Sequence, residues 1–215
     1  MRLEKILFVS FLIILSFCNC ARQTIKKQLT EEEILCSIPR WQESFKGKVG
    51  TGEMVISGPE FRYSTYFSFD YEVDEKILFG KLLGSFGIIV GDFYFSPDSI
   101  SLIDREGKEL RGEVLSVLEG LSCATLARFI AWDIPNSSNW KVIPLDNEWI
   151  LLSSELEISL SRDFLPTRAM IGKDNSLSIE YSNFRTVGGV KQPFRITVRK
   201  DENMLQIEHN TLKLQ

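Results

Sequence analysis

The sequence holds one histidine, His209, in 215 residues, and its four cysteines include no Cys-x-x-Cys pair. Zinc sites of cysteine and histidine type are thereby excluded, because such sites group several of these ligands around one ion. No Gly-x-Ser-x-Gly turn, no phosphate-binding glycine loop and no His-Glu-x-x-His segment occurs. The chain therefore lacks the common signatures of acyl transfer, nucleotide hydrolysis and metalloproteolysis. His209, beside Asn210 in a terminal strand pattern, reads as a solvated or strand-face residue and not as a general base. A basic excess is also missing: 25 Lys and Arg stand against 29 Asp and Glu, for a formal net charge of −4. Nucleic-acid binding would call for a basic face, so that partner class is set aside. No hydrophilic linker interrupts Ser44 to Gln215, and no repeat of solenoid period is seen. One domain is expected.

What is present begins with a leader. Arg2 and Lys5 precede an apolar run from Ile6 to Phe17, which ends in Cys18-Asn19-Cys20. That is the layout of an export signal, and the run is shorter than the roughly 20 apolar residues a permanent membrane helix needs. The cysteine at its end resembles the lipobox of bacterial lipoproteins. Residues 1–19 are then a signal peptide, Cys20 becomes the acylated first residue, and 20–29 form a polar tether. Acyl chains at about 0.8 kcal/mol per buried methylene would hold such a protein permanently on a membrane. Arg22 after the anchor implies, by the same resemblance, the periplasmic face of the outer membrane. In an oxidising compartment Cys36 and Cys123 either pair or stay as free thiols.

The tether leads into Thr30-Glu31-Glu32-Glu33, a capping box with acids in the first helical turn. Ile34, Leu35, Ile38 and Trp41 follow at helical spacing, with Pro39 predicting a kink or two short pieces between Glu31 and Glu43. From Ser44 the period becomes two. Phe61, Tyr63, Thr65, Phe67, Phe69 and Tyr71 fall on one face, and Arg62, Ser64, Ser68, Asp70 and Glu72 on the other, with Tyr66 the aromatic exception. This is a half-buried antiparallel strand. Gly58-Pro59, Gly84-Ser85, Pro97-Asp98 and Glu106-Gly107 mark turns of a meander running to Asp104. Residues 113–132 return to helical period through Val114, Val117, Leu118, Leu121, Leu126, Phe129 and Ile130, and alternation resumes at Leu156, Leu177 and Phe194. The fold class is mainly β (α+β): an incomplete antiparallel β-barrel of about eleven strands, with two helical regions plugging its concave face.

These features resemble the LolA/LolB-like superfamily of lipoprotein carriers and outer-membrane lipoprotein receptors. The resemblance covers roughly residues 30–200 and is carried by Leu82-Leu83-Gly84, Ser96-Pro97-Asp98-Ser99-Ile100 and Asp104-Arg105-Glu106-Gly107-Lys108. It implies a domain spanning 30–215 that binds acyl chains or lipoproteins as a monomer, with no catalysis, metal or cofactor. It also implies that Leu82 and Leu83, between the third and fourth strands, touch membrane or cargo. Alternatively the two leucines turn inward and cap the sheet. The aromatic stripe of Phe61, Tyr63, Phe67 and Phe69, with Phe93 and Phe95, is the candidate acyl-chain wall. Its other reading is a filled core, in a structural or interaction protein of the envelope. Asp104-Arg105 reads as a turn-fixing pair, since Asp in turns commonly accepts from backbone N–H groups. Asp92 marks either the wet face or a cavity wall.

Overall fold

The computed structural model describes residues 29–109, 123–135, 139–154, 156–172 and 177–215. The leader, Cys20 and the helical pattern at Val114, Val117, Leu118 and Leu121 lie outside the described residues.

Twelve strands form one open antiparallel sheet. In chain order they are β1 (Gly47–Ser57), β2 (Arg62–Glu72), β3 (Ile77–Leu83), β4 (Ile89–Phe95), β5 (Ile100–Asp104), β6 (Lys141–Pro144), β7 (Trp149–Leu152), β8 (Leu156–Leu160), β9 (Pro166–Ile171), β10 (Leu177–Val187), β11 (Val190–Lys200) and β12 (Asn203–Leu214). The count agrees with the expected number of about eleven; β6 and β7 have only four residues each, too few for alternation to register in sequence. The spatial order is β5-β4-β3-β2-β1-β12-β11-β10-β9-β8-β7-β6. The first and last strands thus pair near the centre, while β5 and β6, consecutive in the chain, form opposite edges. The link between those edges carries a helix back over the sheet.

Two helices lie among the described residues. Helix α1 (Glu31–Ser37) begins at the expected capping box: Glu33 N–H donates to Thr30 Oγ1 at 3.2 Å, and Thr30 N–H donates to Glu33 Oε2 at 2.9 Å. It stops before Pro39, with Ile38 extended (φ −68, ψ 126), the conformation a following proline favours. A short 3-10 turn at Trp41–Glu43 completes the second piece. Ile34, Ile38 and Trp41 are buried, while Cys36 sits on the exposed side of α1 as a free thiol. Helix α2 (Cys123–Ala131) packs against β3 and β4.

Glycine opposite phenylalanine sets how tightly the first meander packs. Gly50, Phe69, Gly80 and Phe93 pair in one row across β1 to β4, so each ring can lie over a bare backbone. A Cβ on Gly80 would stand 2.0 Å from the Ser68 carbonyl oxygen and 2.6 Å from the Phe93 ring. Backbone atoms cannot yield that distance cheaply. Gly80→Ala is expected to lose about 3 kcal/mol, at the upper end of ordinary overpacking costs, read as a lower urea midpoint at unchanged m. A loss below about 1 kcal/mol would show that this row is not close-packed.

Candidate functional site

The last turn of α2 gathers side chains from distant parts of the chain. A helix end leaves its final carbonyls without intrahelical partners, and here it is closed by Trp132 in the left-handed region (φ 57). Trp132 N–H bonds the Phe129 carbonyl at 3.1 Å, and Asp133 N–H bonds the Arg128 carbonyl at 2.8 Å. This is a Schellman closure built without its usual glycine. The neighbouring carbonyls take donors from the sheet and from the 3-10 turn. Tyr181 Oη donates to Phe129 at 3.0 Å, Lys48 Nζ to Ala131 at 2.9 Å, and Trp41 Nε1 to Trp132 at 2.9 Å. Trp132 Nε1 in turn reaches the Pro166 carbonyl at 3.3 Å.

Asp133 completes this collar. Tyr71 Oη donates to its Oδ2 at 2.7 Å, and Arg128 Nε approaches the same oxygen at 3.2 Å. Burial first, then the Asp133 charge and hydrogen bond, push the Tyr71 phenol far above its ordinary range. Lys48 is fully buried, with its ammonium 5.5 Å from the Trp41 ring centroid, and desolvation lowers its pKa to about 7. Helix C-terminal carbonyls attract a cation or a donor, so Lys48 acts here as a positioning residue for α2. The long-range roles were not visible in sequence, because every side-chain pair here except Arg128 with Asp133 is separated by dozens of residues.

The aromatic stripe divides in three dimensions. Phe67, Phe69 and Phe93 are buried in the concave layer, Phe61 and Phe95 are half-buried, and Tyr63 is 57% exposed. Phe67 and Phe69 lie beside the His209 ring, at centroid distances of 6.0 and 5.3 Å. His209 is therefore a buried strand-face residue, not a solvated one. Burial, then the nearby Lys48, lower its pKa to about 3. Leu82 and Leu83, consecutive in β3, point to opposite faces. Leu82 pairs with Phe67 and is buried; Leu83 pairs with Tyr66 on the other face and is half-buried.

The exposed apolar surface lies just beyond them in the β3–β4 turn. Phe86 is fully exposed, and Ile88, Ile89 and Val90 are 40–54% exposed, with the exposed Tyr66 paired to Leu83 beside them. The turn is held in shape: Gly84 N–H bonds the Ile88 carbonyl at 2.8 Å, and Gly87 N–H the Gly84 carbonyl at 3.2 Å. Phe86 itself is left-handed (φ 61, ψ 20), a strained conformation for a bulky residue that ordinarily marks a special role. A concavity of about 310 Å³ opens between this turn, Tyr66, Phe67 and β1 at Thr51 and Gly52.

The segments that carry the resemblance resolve into turns. Ser96 Oγ accepts from the N–H of Asp98 and of Ser99 at 3.3 and 3.0 Å, and Asp104 Oδ1 accepts from Glu106 and Lys108 N–H at 2.9 and 2.8 Å. Asp92 is exposed on the wet face, opposite Lys81. No cluster of ligating side chains suited to a metal ion occurs among the described residues.

No family model and no curated protein matches the sequence. Solved structures do match. A LolA superfamily protein from Nitrosomonas europaea superposes with a TM-score of 0.53 at 12% identity, covering 87% of this chain and 94% of that one. A domain described as an outer-membrane lipoprotein-sorting protein, from Vibrio parahaemolyticus, gives 0.55 at 9% identity, covering 86% and 90%. At these identities the shared property is the fold, and the chain has the LolA superfamily fold.

Proposed function

From the LolA superfamily fold, we propose that this chain is a lipid-anchored envelope protein that binds acyl chains or acylated proteins at the outer membrane, without catalysis. The observation that carries the reading is the Phe86 turn. A full phenylalanine side chain held in water forgoes about 1.5–3 kcal/mol of burial, and here it does so on a hydrogen-bonded turn flanked by Ile88, Ile89 and Val90. Contiguous exposed apolar surface of this kind suits a membrane or an acylated partner. Phe86 is thus the proposed contact point, with Leu83 at its base. Leu82, Phe67, Phe69 and Phe93 form the concave wall, and Phe61, Tyr63 and Phe95 its outer parts. Cys20 carries the anchor in this reading, nine residues before Leu29, and the protein works as a monomer.

A second reading has its own support. The buried rings of Phe67, Phe69 and Phe93 packed over glycines favour a filled core, and the exposed turn would then meet a protein partner. Mature protein purified from membranes separates the two by native mass spectrometry. The carrier reading expects bound fatty acid or phospholipid, and only ligand-free protein would support the filled core. Cys20→Ala is expected to move the protein from the membrane to the soluble fraction; retention on the membrane would remove the anchor from the proposal.

A further inference from the structure

We infer that Gln192 and His209 form a polar recognition point in the concave core for the ester or amide carbonyl at the head of an acyl chain. The inference rests on the carrier reading above and names the chemistry its ligand would need. Gln192 is fully buried and His209 is 3% exposed. Both amide atoms of Gln192 and both ring nitrogens of His209 lack any hydrogen-bond partner. Leaving such groups unpaired costs about 1–3 kcal/mol each. The surrounding interior follows the opposite rule: Lys48, Tyr71, Tyr181, Trp41 and Trp132 all have partners. Apart from these two residues, the described buried side chains leave only Gln42 Oε1 unpaired, and its Nε2 donates to Ile134.

The two residues belong to neighbouring strands, β11 and β12, joined by a ring contact. Phe194, two residues beyond Gln192, meets His209 edge-on at 6.4 Å. With Phe67 and Phe69 on its other sides, the imidazole is a polar tip in an aromatic cage. Such a cage accepts hydrocarbon, while the tip asks for a hydrogen-bonding atom. A neutral imidazole and a primary amide each offer an N–H donor to a carbonyl oxygen, and neither supplies the charge that a buried carboxylate would need to offset its desolvation. The nearby cation does not alter this, because Lys48 is committed to the Ala131 carbonyl. The chain would enter from a neighbouring concavity whose walls include neither Gln192 nor His209. The 310 Å³ concavity below the Phe86 turn is walled in part by Gly52, Phe67 and Asn210. Gly52 pairs with His209 across β1 and β12, and Asn210 is its chain neighbour. That volume lies at the small end of ligand pockets.

The single histidine makes the test direct. Protein labelled with 15N-histidine gives imidazole signals from His209 alone, and these are followed while methyl palmitate or hexadecane is added. The ester is expected to shift the imidazole nitrogens and to bind about tenfold more tightly than the alkane. The double variant His209→Phe, Gln192→Leu should bind both probes equally. Equal binding by the wild type without a nitrogen shift would overturn the recognition point while leaving the carrier reading intact. Binding of neither probe would overturn both. If the double variant does not fold, the labelled wild-type protein still decides the matter.

Discussion

Lys48→Met is expected to fall behind the wild type in stability by about 1.4 kcal/mol for each pH unit as pH rises from about 7 toward 10. Burial sets the folded pKa of Lys48 near 7, against 10.5 for the model group. Throughout that window the unfolded chain holds a proton that the native state has released, so wild-type stability rises with pH. The contribution is fully present above 10.5 and is lost as pH falls toward 7. Methionine keeps most of the apolar stem but has no proton to release, so its profile lacks this slope. At neutral pH two effects oppose each other in the variant. The Ala131 carbonyl loses its donor, at about 1–3 kcal/mol, while the desolvation of a buried amine is relieved. The pH slope is therefore the signature, and urea unfolding at a series of pH values reads it. Parallel profiles for the two proteins would mean that Lys48 is charged and solvated in the native state. Lys48→Ala, by contrast, also leaves a void beside Trp41 and is expected to be destabilised at every pH.

Phe86→Asn is expected to weaken binding to phosphatidylethanolamine and phosphatidylglycerol vesicles by about 10- to 100-fold, the equivalent of one lost apolar side chain. Its stability should change by less than about 0.5 kcal/mol, as for other surface positions. Phe86 makes no buried contact, and asparagine tolerates the left-handed backbone that the turn imposes. The neighbouring wall residue should behave in the reverse manner. Leu82 is 8% exposed, so Leu82→Ala should lose about 2–5 kcal/mol through cavity formation while a folded fraction keeps its vesicle affinity. Sedimentation with vesicles, paired with thermal unfolding, separates surface contact from core packing. A folded Phe86→Asn protein that binds vesicles like the wild type would remove the turn from the mechanism.

These two residues also show where sequence reading stops. The run from Ile77 to Lys108 is legible as three strands, and its first turn is legible as an apolar loop. Sequence places the two leucines at that bend, yet β3 continues through both of them, burying one and half-burying the other. The protruding side chain is Phe86. Only the left-handed backbone between Gly84 and Gly87 aims it outward, and such strain has no periodic signature. The turns at Ser96–Ser99 and Asp104–Lys108 are different. Their hydrogen bonds span two to four residues, so residue type and spacing suffice to anticipate them.

By itself the sequence determined the start of α1, the break before Pro39, the two-residue period of the first meander and the inward face of Phe67, Phe69 and Tyr71, though not the exposure of Tyr63. Each of these follows from local stereochemistry or from which face must avoid water. Only the tertiary structure decided that β1 and β12 meet near the centre of the sheet and that β5 and β6 become its edges. It alone placed Lys48, an apparently ordinary strand lysine, beneath a helix end 83 residues away. It also buried His209 among three phenylalanines without a hydrogen-bond partner. The physical reason is common to all of these. Alternation states that a face is covered, whereas what covers it depends on contacts between segments that no local pattern encodes.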